Sequence, residues 1–450
     1  MADYLDQVAE FAAGTRSTDI PPAVLDRTAL ILADCIGAIA GGAAEPDMAA
    51  LRGTGTGSGA ALVIGTRLSA DPTRAAFLNG TAGTVLEMDE GNQFAKGHPG
   101  MHCVPAALAY AGARAVSGRD LLAAIAIGYE VGARIGIATR LRPAMHPHGT
   151  WGTVGAAVAV ARLAGRDAGG MRQAMNIAAS FCLATSRRTM LEGGTVRNAY
   201  AGISGQLGLV THDLLTAGFE GDHDGVAQVF GRVVSDTFDT GAMTDSLGAR
   251  WEVSRNYFKM HSCCRYNHAT LDALAMIVAR DGAPDPSRIA RIEVETYALA
   301  VELDDPAPRN VLAAKFSVPF AVATALVNGS TNVGSFTAPN VTNPAIRALA
   351  ARVVLREDPA MTAALPARRP ARVTLVFDDG HRSMAETQSN RGDWADPYPV
   401  PEIRAKFLSL ATRVWGEGAS GAIWDATLAL AQADTGPLLA QMAAAGQDVA

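Results

Sequence analysis

The sequence predicts a mainly α-helical protein with an α+β second domain. Three observations lead to this prediction. Apolar residues recur at three-to-four-residue spacing through most of the first 270 positions. Alternating polar and apolar residues, which are typical of strands, are concentrated between positions 288 and 387. Helical spacing then returns after Pro401.

The first elements are helices punctuated by proline and glycine. Residues 3–13 predict a short amphipathic helix. A longer helix begins near Pro21-Pro22 and ends at Gly41-Gly42, because proline suits a first turn and glycine suits a helix end. The Gly-, Ala- and Thr-rich residues 43–62 indicate a loop that leads into a short strand, Ala61 to Ile64. Asp71-Pro72 opens the next helix.

The periodicity continues through the chain and changes type once. Further helices are expected over 104–116, 121–140, 153–163, 171–182, 199–217, 315–327, 401–415 and 422–431. Residues 288–297 predict a half-buried strand, and residues 372–387 predict a hairpin around an Asp-Gly turn. The Ala-rich tail, 441–450, is expected to fray.

These elements predict two domains. The large helical domain covers residues 1–269 and is completed by helices within 396–450. The α+β domain covers residues 270–395. At 450 residues the chain is long enough for two cores.

The composition excludes several classes of protein. The chain is 49% hydrophobic and 18% charged, with a formal net charge of −6 and no basic run, so nucleic acid and anionic membranes are not expected as partners. The longest apolar stretch carries Glu130 and Arg134, which argues against a membrane span. The acidic N-terminus does not resemble a signal peptide, so a cytoplasmic location is expected.

Cysteine and lysine usage gives further constraints. The five cysteines show no CxxC spacing, so neither a disulfide framework nor a zinc site is expected. Basic residues are almost all arginine. The only lysines, Lys96, Lys259, Lys315 and Lys406, therefore indicate positions where a compact ammonium group with a tunable pKa is required.

The stretch from Glu87 to His102 is the strongest candidate for a functional site. It holds three carboxylates, a lysine and two histidines between two apolar helices. A charged, glycine-broken loop between buried segments commonly carries a site. The alternative is a solvated loop that caps the neighbouring helices.

Three other polar clusters stand out against the apolar background. They lie at 145–153, 186–198 and 257–268. The first cluster precedes a helix N-terminus and the second combines arginines with glycines, so both suit an anion. The third lies where the two domains meet, a common place for pockets. Each has a plain alternative, namely a surface turn, a solvated basic loop or a polar connector. A cysteine nucleophile in the third cluster has no supporting cysteine-hydrolase context.

Taken in order, these motifs resemble those of the MmgE/PrpD family, which includes 2-methylcitrate dehydratase, cis-aconitate decarboxylase and iminodisuccinate epimerase. The matching pieces are Asp89-Glu-Gly-Asn with Gly97-His98-Pro99, His146 ahead of Gly-Thr-Trp-Gly-Thr, Arg197 before Gly202, Lys259 with Cys263-Cys264-Arg265-Tyr-Asn-His268, Lys315-Phe-Ser-Val-Pro-Phe320, and Trp394 to Phe407. No single motif is decisive, but the series in this order is.

The resemblance implies a fold in which a large all-helical domain carries a smaller α/β lid domain over residues 270–395, and it implies a class of activity. It implies an active site between the two domains, a homodimer, a small di- or tricarboxylic acid as substrate, and no metal or organic cofactor. By position, the active-site residues implied are Asp89, His98, His146, Arg197, Lys259 and Cys264.

The chain also departs from part of the family. Some members carry aspartate where Glu90 stands, lysine for Arg197, histidine for Cys264 and tyrosine for Phe320. The decarboxylase and the epimerase resemble that other pattern. The departures therefore weaken assignment to either one, without selecting the dehydratase.

Of the family's reactions, the resemblance favours that of a lyase that abstracts an α-proton and eliminates water, as 2-methylcitrate dehydratase does. Epimerisation of a dicarboxylate and decarboxylation remain open, and a non-enzymatic helical module would leave the His-, Arg- and Lys-rich clusters unexplained. The predicted catalytic residues are Asp89, His98, His146 and Lys259. The predicted substrate-binding residues are Arg197, Arg188, Cys264, Arg265 and His148.

Overall fold

The first two-thirds of the chain is helical in the computed structural model, which describes residues 3–448. The helices up to the domain junction are α1 Tyr4–Gly14, α2 Pro22–Ala43, α3 Pro46–Gly53, α4 Pro72–Val85, α5 Pro99–Gly112, α6 Gly118–Ala138, α7 Gly152–Leu163, α8 Ala168–Ala179, α9 Arg187–Leu191, α10 Tyr200–Thr216, α11 Gly225–Gln228, α12 Thr240–Thr244 and α13 His268–Asp281. Short strands accompany them: β1 Ala61–Leu62, β2 Ser69–Ala70, β3 Gly91–Asn92, β4 Thr139–Leu141, β5 Ser235–Phe238 and β6 Asn256–Tyr257.

The remaining elements form an α+β unit followed by three helices. The α+β unit contains β7 Ile289–Thr296, α14 Ala298–Val301, α15 Val311–Lys315, α16 Val318–Asn328, α17 Ala338–Val341, α18 Pro344–Ala350, β8 Val353–Glu357, α19 Pro359–Ala363, β9 Ala371–Phe377 and β10 Arg382–Thr387. The last helices are α20 Val400–Ala411, α21 Glu417–Leu428 and α22 Thr435–Ala445. The predicted fold class, mainly α with a smaller α+β part, is confirmed.

One four-stranded sheet organises the α+β unit, in the order β10-β9-β7-β8. Strands β7 and β9 are antiparallel, β9 and β10 form the predicted hairpin, and β7 and β8 are parallel. The sequence did not predict β8. Its residues are only partly buried, so its apolar alternation is weak.

Two main apolar clusters underlie this architecture. One joins the helices of the first region to α20–α22, with Phe407 and Trp424 among its buried members. The other joins α13 and α16 to one face of the sheet. The sequence predicts that residues 396–450 complete the domain formed by residues 1–269 and that residues 270–395 form a second domain. This division requires the last helices to pack on the first cluster, as they do. The boundaries themselves stay a prediction.

Helix α6 is the one helix within residues 3–448 that is long and apolar enough to cross a membrane, and 94% of its most apolar window is buried inside the protein. Two of its charged side chains, Glu130 and Arg134, form a buried ion pair of 2.6 Å. It is therefore a helix of the protein core, consistent with the argument from its charges against a membrane span.

The C-terminal tail is more ordered than the sequence suggested. Helix α22 continues to Ala445, and the backbone of Gln447 pairs with Thr66. The expected fraying over 441–448 is therefore wrong, because this segment packs against the first cluster through Met442. Residues 449–450 lie outside the described part of the chain.

Candidate active site

The loop that follows α4 carries a row of buried carboxylates. The backbone turns at Glu87, which has a positive φ of 54°. Glu87, Asp89 and Glu90 are all at most 1% exposed. Three ionisable acids at such depth require compensating groups, because burial of an unpaired carboxylate is costly.

Pairing of β3 with β6 supplies the first compensating group. Gly91 lies opposite Tyr257, which brings Lys259 beneath the loop. The Lys259 ammonium lies 3.2 Å from Glu87 Oε2 and 3.4 Å from Asp89 Oδ1. Burial alone would lower the pKa of Lys259, but these two carboxylates raise it above its usual value. Arg197 completes the cluster through an ion pair with the other Glu87 oxygen.

His98, at the N-terminus of α5, forms a dyad with Asp89. Its Nδ1 lies 3.0 Å from Asp89 Oδ2 and 2.6 Å from the backbone oxygen of Glu90. Both oxygens are acceptors, so we assign the proton to Nδ1, which leaves Nε2 as the free basic nitrogen of the neutral ring. Despite burial, His98 and Lys259 lower the pKa of Asp89, so the carboxylate stays ionised.

His146 has the opposite arrangement. Its Nδ1 accepts a hydrogen bond from the backbone N–H of His148 at 3.1 Å, so the neutral ring carries its proton on Nε2. Burial, and then the charge of Arg197, keep the pKa of His146 well below its ordinary value. This ring is therefore a neutral N–H donor.

The His148 ring lies between the other two. Its centroid is 4.6 Å from that of His98 and 4.9 Å from that of His146. Neither of its nitrogens has a hydrogen-bond partner among the described residues. A buried imidazole in this position is available to a bound molecule.

These side chains border a cavity of about 530 Å³, including its open mouth. Four arginines contribute to its wall: Arg187, Arg197, Arg265 and Arg369. Phe316, Tyr257 and Tyr266 add apolar surface. A concave site with aromatic walls and convergent cations suits a small polyanionic molecule.

Most of the predicted site residues meet at this cavity. Those that border it are His98, His146, His148, Arg197, Cys264 and Arg265. Asp89 and Lys259 lie in the layer behind and contact the cavity-lining residues instead. Burial raises the pKa of the Cys264 thiol, and Glu87 raises it further, which disfavours a cysteine nucleophile.

Arg188 is a correction to the sequence prediction. Its side chain is 82% exposed and pairs with Glu192 one helical turn away, so it points away from the cavity. Its neighbour Arg187 faces the cavity and pairs with Glu302 at 2.8 Å. Successive residues in a helix point in different directions, and the sequence alone did not determine which arginine faces inward.

Glu87, Tyr257 and Arg369 were not assigned a role from the sequence. Glu87 and Tyr257 stood inside the highlighted stretches, and the carboxylate of Glu87 turns out to bind both cations of the cluster. Arg369 comes from a distant Arg- and Pro-rich segment whose composition is typical of an ordinary loop. Only tertiary structure brings it to the cavity.

Asp89, His98 and His148 offer ligand atoms within 4.8 Å of one another, a grouping that could hold a metal ion. However, the Asp89 carboxylate is already compensated by the Lys259 ammonium and by the N–H of His98. The positive charges of Lys259 and Arg197 act on this carboxylate and oppose a further cation there. The residues therefore fit a proton-transfer dyad better than a metal site.

Comparison with known proteins gives consistent matches over nearly the whole chain. The MmgE/PrpD N-terminal domain model matches residues 6–241, and the MmgE/PrpD C-terminal domain model matches residues 261–432. The chain is 24% identical to a cis-aconitate decarboxylase of Aspergillus terreus, over 96% of this chain and 94% of the relative. It is 23% identical to a cis-aconitate decarboxylase of Mus musculus, over 76% of this chain and 72% of the relative.

Proposed function

Because this chain belongs to the MmgE/PrpD family, we propose that it is a cofactor-independent lyase that removes an α-proton and water from a small di- or tricarboxylic acid. The observation that carries the proposal is the opposite protonation of two histidines at one cavity. His98 presents a free basic nitrogen, and His146 presents an N–H. An elimination needs both a base and an acid.

The reaction begins at the α-carbon. Nε2 of His98 accepts the α-proton while Asp89 stabilises the resulting imidazolium through Nδ1. The electron pair of the C–H bond moves toward the adjacent carboxylate, which becomes enolate-like. Arg197 and Arg187 border the same cavity and stabilise the developing charge.

The second half of the reaction expels the hydroxyl group. The enolate electrons form the new carbon–carbon double bond as the carbon–oxygen bond on the neighbouring carbon breaks. The Nε2 proton of His146 goes to the departing oxygen, so the products are water and an unsaturated acid. The His146 imidazolate left behind is stabilised by the His148 backbone N–H and by the charge of Arg197. Protons then exchange with solvent to restore both histidines.

Decarboxylation is the second candidate, because the relatives from Aspergillus terreus and Mus musculus are cis-aconitate decarboxylases. In that reaction the carbon–carbon bond to a carboxylate breaks, and a cavity histidine protonates the carbon left behind. Epimerisation would use the same two histidines on opposite faces of one carbon. At 24% identity, family membership does not select among these reactions.

Proton NMR with a panel of acids tests the proposal. The panel holds 2-methylcitrate, citrate, cis-aconitate and iminodisuccinate, each incubated with the purified protein. We expect new vinyl signals with no loss of carbon. Release of CO2 would identify a decarboxylase instead, and an inverted stereocentre with an intact skeleton would identify an epimerase. No change in any acid would contradict the proposed substrate class.

A further inference from the structure

Arg369 is fixed at the cavity by contacts from both parts of the molecule. It lies directly before β9 and is 5% exposed. The side-chain amide of Gln93, in the central loop, donates to the backbone oxygens of Pro366 and Ala367 at 3.0 and 3.1 Å. On the sheet side, the Thr296 hydroxyl donates to the Pro370 oxygen at 2.9 Å. Its segment is therefore tied to the helical part and to the sheet.

The other three arginines of the cavity already have carboxylate partners. Arg187 pairs with Glu302, Arg197 with Glu87 and Arg265 with Asp393. In each case a large part of the positive charge is balanced within the protein. Each of them therefore keeps only part of its charge for a bound acid.

Arg369 differs, because within residues 3–448 it forms no ion pair with a carboxylate. Its Nη2 donates one long hydrogen bond of 3.4 Å to the backbone oxygen of Gln93, and its Nε has no hydrogen-bond partner among the described residues. The guanidinium otherwise lies 6.0 Å from the Tyr257 ring and 5.5 Å from the Tyr266 ring. Asp393 stabilises its charge from a distance, but that carboxylate is bound to Arg265.

A buried guanidinium with free N–H groups at the wall of a cavity is incompletely satisfied. Stacking on aromatic faces compensates only part of the lost hydration. Its planar donor pattern matches a carboxylate, which can accept two parallel hydrogen bonds. A carboxylate of the bound molecule would complete this site.

We propose that Arg369 binds a second carboxylate of the substrate, one that does not take part in bond breaking. This inference rests on the proposed function for its substrate class. The reacting end lies among His98, His146 and Arg197, and Arg369 on the α+β side holds the remote end. Arg369, which takes no part in proton transfer, then determines that the site prefers acids with two carboxylates.

Equilibrium binding of non-reacting acids tests this role independently of turnover. Succinate and butyrate have equal chain length but two carboxylates and one. Titration calorimetry would compare both acids on the wild type, on Arg369→Gln and on Arg368→Gln. Arg368 is the adjacent, exposed arginine, and it provides the matched control. Circular dichroism spectra would confirm that all three proteins are folded.

We expect Arg369→Gln to weaken succinate binding roughly 10- to 100-fold, the range for a lost hydrogen bond to a charged group. Butyrate affinity should not change, and Arg368→Gln should bind both acids as the wild type does. Equal succinate affinity in wild type and Arg369→Gln would overturn the inference, as would a failure of the wild type to prefer succinate. Arg369-dependent binding without turnover of any acid would instead count against the proposed reaction alone.

Discussion

At the scale of single residues, backbone contacts determine which nitrogen of each histidine carries the proton. The Glu90 carbonyl oxygen fixes the His98 proton on Nδ1, and the His148 N–H fixes the His146 proton on Nε2. Both contacts come from the chain segments that hold the histidines themselves. Base and acid are therefore distinguished before any substrate binds.

Glu90 supports this arrangement as a protonated acid. Its carboxyl group accepts from the Gly100 N–H at 2.7 Å and contacts the Tyr129 hydroxyl at 3.1 Å. A side chain at position 100 would clash with it, since an added Cβ would lie 2.7 Å from Glu90 Oε1. Burial raises the pKa of Glu90 to about 8 from its ordinary value of 4.5.

This shift predicts a specific dependence of stability on pH. A raised folded-state pKa gives stability that is complete below the unfolded pKa and is lost as pH rises through the folded value. Glu90→Gln cannot ionise, so it does not lose this stability. As pH rises between the two pKa values, the free energy of unfolding of Glu90→Gln should increase relative to that of the wild type by up to about 1.4 kcal/mol per pH unit. Urea unfolding from pH 5 to pH 9 measures the difference.

The control for this measurement is Glu10→Gln, which changes an exposed glutamate of α1 in the same way. Its stability should follow that of the wild type at every pH. Parallel curves for Glu90→Gln and the wild type would show that Glu90 is ionised throughout, and would exclude a protonated Glu90 in the folded protein.

At the scale of elements, buried lysines fix the backbone of the central loop from behind. The Lys315 ammonium donates to the oxygen of Leu86 at 2.8 Å. The Lys406 ammonium, on α20, donates to Met88 O and to Asp34 Oδ1, both at 2.5 Å. Lys259 pairs with the side chains of Glu87 and Asp89 in the same loop. Three of the four lysines therefore contact residues 86–89.

Replacement of Lys406 tests this convergence. Lys406→Met should lower the free energy of unfolding by about 3–5 kcal/mol, because it leaves the Asp34 carboxylate buried and unpaired. The double variant Asp34→Asn with Lys406→Met should recover much of the loss, since it removes both charges. Lys96→Met, at an exposed lysine, is the control for urea unfolding. A Lys406→Met protein as stable as the wild type would exclude a stabilising role for this lysine.

The sequence predicted these elements better than it predicted their contacts. Apolar periodicity located the long helices and the hairpin of β9 and β10, because those patterns are local. The bias against lysine indicated special positions at Lys259, Lys315 and Lys406, although not their partners, whereas Lys96 is exposed. The pairing of β3 with β6 and the inward direction of Arg187 depend on residues far apart in the chain, so no local pattern encodes them.

At the scale of the whole molecule, the cavity takes residues from both parts of the chain. The helical part supplies the proton-transfer residues, and the α+β part supplies Phe316 and Arg369. The resemblance to the family identified most of the first group from sequence, whereas Arg369 required the tertiary structure. The homodimer and the cytoplasmic location remain predictions.

In the proposed reaction His98 removes the α-proton and His146 protonates the leaving hydroxyl. Hydrogen–deuterium exchange at the α-carbon of the acid that the wild type dehydrates separates these steps. The assay uses D2O and proton NMR on the wild type, His98→Asn and His146→Asn, with the exposed His223→Asn as control. Asparagine retains a polar group near the Nδ1 position of histidine, a donor in place of His98 and an acceptor in place of His146, and it removes Nε2.

We predict that His98→Asn loses both exchange and elimination, by roughly two to four orders of magnitude in rate. His146→Asn should still exchange the α-proton but eliminate water slowly, and His223→Asn should match the wild type. Wild-type exchange in His98→Asn would contradict the assignment of the base and, with it, the proposed mechanism.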